Sequence, residues 1–281
     1  MLDWDRFERD GFLVLGSVCE PALLEALQQR IDDIMLQRVV YADLYMQVCP
    51  SSSGSWTASG ELGHPSTLAY RKIMGLEADE LFREYMTLPL FQEAAMKACG
   101  PEIAIVRAMF FNKPKEQGKV IDWHQDREGP NNLPPLRPGD GNITIWTALD
   151  PCPRESGCLQ VIRGSHRRGA IPFGPTSADE PTLSPEQLLE YAPETERVEL
   201  AMEPGEAVLL HNMLLHKSDV NHTGKPRRAF SAWLTSHRPG TEHWATLWPE
   251  YRPNSKGEAQ GRNGRPELVP EDPLCMIMQK L

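Results

Sequence analysis

Apolar positions along the chain change their period near residue 100. Upstream, Leu23, Leu24, Leu27, Ile31, Ile34 and Met35 recur at the spacing of one helix face, behind a Pro21 that a first helical turn tolerates. Leu81, Phe82, Tyr85 and Met86, then Leu90, Phe91, Ala94, Ala95 and Ala98, make two more helical patterns, broken at Pro89 and closed by Gly100-Pro101. Phe12 to Val18 is short, apolar and bounded by glycine, as an early strand would be. Downstream, short β-branched or aromatic runs cover 103–111, 142–149, 158–162, 197–202, 206–210 and 229–235, separated by Pro, Gly and Asn turns. The pattern predicts a helical packing region over about residues 1–100 and a strand-dominated core over about 101–238.

Two long connections interrupt the core. Residues 127–141 and 172–195 are rich in proline, the second with a short helical piece at Pro185–Tyr191. Loops longer than about 12–15 residues in a compact domain usually carry function, so both are expected at the mouth of a site, with the Ser/Gly-rich stretch around Trp56 as a possible lid. Residues 239–281 form a polar tail. No internal repeat or linker divides the 281 residues, so one domain is expected.

Composition narrows the class. An excess of acidic over basic residues gives a formal charge of −10. That argues against nucleic acid and anionic membrane surfaces, both of which call for clustered Lys and Arg. No apolar run approaches the roughly 20 residues that span a bilayer, and the acidic opening Met1-Leu2-Asp3-Trp4-Asp5 is unlike a basic signal region. A cytoplasmic location is expected. The six cysteines contain no Cys-x-x-Cys pair and fit neither a zinc ribbon nor a redox motif. Pro and Gly together reach about 16 % against a usual 12 % or so, which suits short strands and long loops.

The richest segment for chemistry is Ile121-Asp122-Trp123-His124-Gln125-Asp126. On an extended chain residues i and i+2 share a face, so an imidazole and a carboxylate can converge on one ion; spacing alone leaves Asp122 and Asp126 both open. Ninety positions past Asp126, an apolar run carries His211 and His216. Two histidines and one carboxylate, with other positions open, are the ligand set of non-heme iron(II) oxygenases. His216 is the better partner because Ser218 and Arg227 follow it, placing a hydroxyl and a carboxylate-gripping guanidinium near the ion. His166 is a weaker alternative, and Trp123, Arg127 and Trp56 are candidates for substrate contact.

In order along the chain stand Asp10-Gly11-Phe12, Glu80-Leu81-Phe82-Arg83, Thr87-Leu88-Pro89, Asn112-Lys113-Pro114, His124-Gln125-Asp126, Trp146-Thr147-Ala148-Leu149, Glu155-Ser156-Gly157-Cys158-Leu159, Gly164-Ser165-His166, Pro204-Gly205-Glu206 and His216 through Arg227. With these words the sequence resembles the phytanoyl-CoA dioxygenase family of iron(II)- and 2-oxoglutarate-dependent oxygenases, from about residue 5 to 238. The resemblance implies a mainly β fold with flanking helices, a double-stranded β-helix of the jelly-roll, cupin-like kind. It makes His124, Asp126 and His216 the metal ligands, and aligns Arg227 and Ser218 with the residues that hold the distal carboxylate of 2-oxoglutarate. Trp146 and Met109 match positions lining that pocket, and Lys72 matches a lysine reaching it, with Arg71 the alternative if a gap shifts by one. Fe(II), 2-oxoglutarate and O2 would then hydroxylate an unactivated C–H bond of a small metabolite or carrier-linked substrate, releasing succinate and CO2. Two other classes use the same ligands: a redox-inert metal-binding β-barrel and a zinc hydrolase or isomerase.

Overall fold

The computed structural model describes residues 2–41, 44–48, 57–58, 65–100, 103–115, 120–126, 142–172, 183–235 and the pairs 259–260 and 266–267. Five α-helices are present among them, each with a local reason to start. α1 (Trp4–Asp10) is capped by the Asp3 carboxylate, which accepts from the Arg6 N–H, and ends at Gly11 in the left-handed region. α2 (Pro21–Met35) and α4 (Pro89–Cys99) begin on proline. The Asp79 carboxylate accepts from the first N–H groups of α3 (Glu80–Met86), and Ser184 and Gln187 form a reciprocal cap on α5 (Pro185–Tyr191).

Twelve strands build two sheets. In chain order they are β1 (Phe12–Ser17), β2 (Tyr45–Val48), β3 (Thr57–Ala58), β4 (Tyr70–Met74), β5 (Ala104–Lys113), β6 (Ile121–His124), β7 (Asn142–Ala148), β8 (Leu159–Ile162), β9 (Arg197–Leu200), β10 (Glu206–His211), β11 (His216–Ser218) and β12 (Arg227–Thr235). The larger sheet runs β1-β10-β7-β12-β5-β4-β2-β3 and the smaller β6-β11-β8-β9, with antiparallel pairs throughout. From β5 to β12 the chain passes back and forth between the sheets, giving four strands to each. That is the winding of a double-stranded β-helix, the fold expected from the sequence.

Strand alternation sorts the core into layers. On the larger sheet Phe110, Ile143, Ile145, Leu209 and Phe230 face outward against Leu27, Ile31, Phe82, Tyr85 and Phe91 of the helices. Trp146, Val208, Leu210 and Ala229, one residue out of phase, face inward against Leu159, Val161 and Leu200 of the smaller sheet. The outer face of the smaller sheet buries Trp123, Ile162 and Leu215 against Ile171, Leu183 and Ala192. At roughly 25 cal/mol per Å² of apolar surface removed from water, the helical cover and the sandwich interior are the main stabilising layers.

The first hundred residues are less purely helical than their pattern suggests. β2, β3 and β4 extend the larger sheet there, and β2 and β4 go unread because their alternation is broken. Register slips between Gln47 and Val48, so Tyr70 and Ile73, three positions apart, both pack on the helix side. The tail 239–281, apart from the short Ala259–Gln260 and Pro266–Glu267 pair, lies outside the described residues, as do 127–141, Trp56 and Arg127.

Candidate metal and co-substrate site

The mouth between the sheets collects the proposed ligands. His124 ends β6 and His216 begins β11, and the two are ladder partners, which brings their rings to 4.1 Å between centroids. Asp126, two positions past His124, places Oδ1 3.8 Å from His216 Nε2. One ligand atom from each residue lies within 4.8 Å of the other two. Strand pairing thus joins two histidines 92 positions apart, and the chain turn after β6 supplies the carboxylate.

Hydrogen bonds orient all three. His124 Nδ1 lies 2.7 Å from the Asp122 carbonyl and His216 Nδ1 3.0 Å from the Leu214 carbonyl. A carbonyl only accepts, so each Nδ1 carries the proton and each Nε2 presents a lone pair, the tautomer a metal ion needs. Asp126 Oδ2 accepts from the Thr144 hydroxyl at 3.1 Å, leaving Oδ1 toward the histidines. Burial, and then His216, push the His124 imidazolium down to about 4, against the pull of Asp126. Asp122 accepts from the Trp123 N–H and stands outside the cluster, which separates the two carboxylates that spacing left equal.

Arg227, the first residue of β12, lies deeper in the same cavity and is 3 % exposed. Its Nη2 donates to the Gly157 carbonyl at 2.9 Å, and its guanidinium lies 5.5 Å from the centre of the Trp146 ring. Nε is buried with no hydrogen-bond partner, and among the described residues no carboxylate comes within ion-pair range of this side chain. A buried cation with an unused donor is costly unless an anion completes it. Ser218, Trp146 and Lys72 line the cavity as well.

The register slip in β4 places both Arg71 and Lys72 on the cavity wall. Met109 has the inward parity of Phe111, but it is buried beneath the wall and does not line the cavity. His211 packs against His166 (4.9 Å) and Phe7 (6.2 Å), away from the three ligands. Trp123 faces the opposite side of the smaller sheet, between Arg197 and Lys217, because it alternates with His124. Thr144, Ser231, Trp233 and Lys113 line the cavity without having been singled out. The signal for two of them was the alternation Arg227, Ala229, Ser231, Trp233 along β12.

Fold and site together define a double-stranded β-helix with a two-histidine, one-carboxylate facial cluster above a buried arginine. The chain belongs to the phytanoyl-CoA dioxygenase family, whose profile (PhyH) matches residues 7–229. Members of that family are oxidoreductases that use Fe(II), 2-oxoglutarate and O2. The peroxisomal phytanoyl-CoA dioxygenase of Homo sapiens is 29 % identical over 232 residues, covering 82 % of this chain and 66 % of that protein, just under two thirds of its length. Among solved structures, EctD from S. alaskensis with bound Fe superposes with a TM-score of 0.62 at 22 % identity, covering 83 % of this chain and 75 % of that one. EvdO2 from Micromonospora carbonacea var. aurantiaca, complexed with 2-oxoglutarate, gives 0.59 at 24 % identity, covering 84 % and 90 %. No helix among the described residues is long and apolar enough to cross a membrane. The human relative is named for the peroxisome, so kinship lends no support to a cytoplasmic location.

Proposed function

We propose that this protein is an Fe(II)- and 2-oxoglutarate-dependent dioxygenase that hydroxylates an unactivated C–H bond of a small metabolite or carrier-linked substrate, with release of succinate and CO2. The observation that carries the reading is the convergence of His124, Asp126 and His216 within 4.8 Å in a chain of this family. The donor set fits Fe(II): two neutral imidazoles and a carboxylate would hold the ion and leave further positions open for other ligands. When bound, iron with its keto-acid and oxygen supplies the oxidising chemistry.

The chain's own residues do the holding. The Asp122 and Leu214 carbonyls fix the ring orientations of His124 and His216, and Thr144 fixes Asp126. Arg227, with its unused Nε, and Ser218 receive the distal carboxylate of 2-oxoglutarate, while Trp146 walls the co-substrate and Lys72 adds a cation near His124. Trp146, Leu159 and Leu210 keep water from the reacting end.

The test is an anaerobic iron and 2-oxoglutarate titration followed by succinate release over a chemically broad substrate panel. His124→Ala is expected to lose iron binding and to cut turnover by at least about a thousandfold. Full succinate release by that variant, or tight zinc binding by the wild type with no 2-oxoglutarate-dependent turnover, overturns the reading.

A further inference from the structure

The three proposed ligands are not oriented in the same way. His124 and His216 take their orientation from carbonyls two residues back along the chain, those of Asp122 and Leu214. Asp126 lies past the end of β6 and is met from across the cavity by a side chain of the larger sheet, the Thr144 hydroxyl, which donates to its Oδ2 at 3.1 Å. The histidine supports are backbone and survive any substitution that leaves the fold intact. The support from Thr144 is a single hydroxyl.

Thr144 is placed to hold that oxygen. It is 3 % exposed and stands on β7 between its ladder partners Leu210 on β10 and Trp233 on β12, and all three line the cavity. A buried hydroxyl is costly without a hydrogen-bond partner, and a β-branched side chain has few rotamers, so Oγ1 stays on Asp126. An ionised carboxylate only accepts, so the hydroxyl proton points at Oδ2. Oδ1 is the oxygen turned toward the histidines, 3.8 Å from His216 Nε2. The choice has a chemical consequence, because a carboxylate can give one oxygen or both to an ion. An ion that took both would have one position fewer for a co-substrate.

We propose that Thr144 is a positioning residue that withholds Oδ2 of Asp126 from the ion, so that one carboxylate oxygen binds and a position stays open for 2-oxoglutarate. The assignment rests on the dioxygenase reading and deepens it, since Thr144 acts on the co-substrate through Asp126.

The experiment compares wild type with Thr144→Val, which keeps the branched shape and loses the donor, and Thr144→Ser, which keeps the donor and loses the methyl group. Three quantities are measured: Zn(II) affinity, 2-oxoglutarate affinity of the Zn(II)-loaded protein, and the infrared carboxylate stretches that change when Zn(II) is added. The splitting of those stretches reports whether one oxygen or two bind the ion. Thr144→Val is expected to weaken 2-oxoglutarate binding roughly tenfold, to hold Zn(II) within about threefold of wild type and to narrow the splitting toward two-oxygen binding. Thr144→Ser should stay near wild type in all three. A merely structural role would spare Val and harm Ser, or lower both affinities together. Either result, or an unchanged splitting in Thr144→Val, sinks the proposal and leaves the dioxygenase reading standing. A wild type that binds no Zn(II), or no 2-oxoglutarate once loaded, removes both. If Thr144→Val does not fold, Thr144→Ala is read in the same way, and a two-oxygen splitting in the wild type overturns the assignment without any variant.

Discussion

At the scale of single residues, the site depends on one position that tolerates no side chain. Gly157 sits in the left-handed region at φ 75°, and a Cβ there would meet the Asp219 carbonyl oxygen at 2.1 Å. Backbone cannot swing aside as a flexible side chain can, so Gly157→Ala must displace either the Arg227 acceptor or the turn after β11. The expected outcome is a loss of about 2–4 kcal/mol in denaturant unfolding, with weaker 2-oxoglutarate binding in whatever remains folded. An alanine variant with wild-type stability and affinity would show that the close approach is not needed. The His-x-Asp word was legible in the sequence because its i, i+2 spacing lets both side chains share a face, and the later histidine because it heads a word with Ser218 and Arg227; what joins them is the pairing of β6 with β11. Lys113 was not, since nothing in Asn-Lys-Pro distinguishes a buried, cavity-lining lysine from a solvated one until β5 is seen paired with β12.

At the scale of elements, the junction of α1, β1 and β10 carries a pH-sensitive contact. His211 accepts from the Met213 N–H through Nδ1 and stacks on His166, whose Nε2 lies 3.0 Å from the Glu8 carbonyl. Burial, and then His166, push His211 down to about 4 from an ordinary 6.5, and burial lowers His166 as well. The unfolded chain therefore binds protons that the folded one refuses. The contribution is complete above about pH 6.5 and is lost as pH falls toward 4, worth on the order of 3 kcal/mol for His211. His211→Asn keeps an acceptor for the Met213 N–H and should flatten unfolding free energy against pH in that window relative to wild type. An unchanged slope would refute the assignment. The helices and most strands were legible as periodicity. β2 and β4 were not, because the slip at Gln47 turns both Arg71 and Lys72 to the cavity and erases the period of two.

At the scale of the whole molecule, metal and fold are linked. The three proposed ligands belong to the smaller sheet and its following turn, while Arg227 belongs to the larger one, so an ion and a co-substrate bound together would clamp the two sheets. A ligand that binds only the folded state stabilises it by RT ln(1 + [L]/Kd), about 2.7 kcal/mol at a hundredfold excess over Kd. Fe(II) under anaerobic conditions, or Zn(II), should raise the melting temperature by several degrees, with a further rise on adding 2-oxoglutarate. Stripping with a chelator should return it, and a melting temperature indifferent to metal would contradict the site. The layered β architecture was readable from the run of short apolar segments. The order of strands within each sheet was not, because pairing partners lie far apart in sequence and periodicity carries no information about them.

That strand order governs how the protein is made. β12 lies between β5 and β7 in the larger sheet, yet it is the last of its strands to be synthesised. A nascent chain halted before residue 227 holds β5 and β7 with a gap between them and two bare edges facing it, the arrangement most prone to pairing with a neighbouring chain. The sheet closes only when the ribosome has delivered nearly the whole β-helix, so truncation from the carboxyl end before residue 227 should yield aggregates in place of a smaller folded protein.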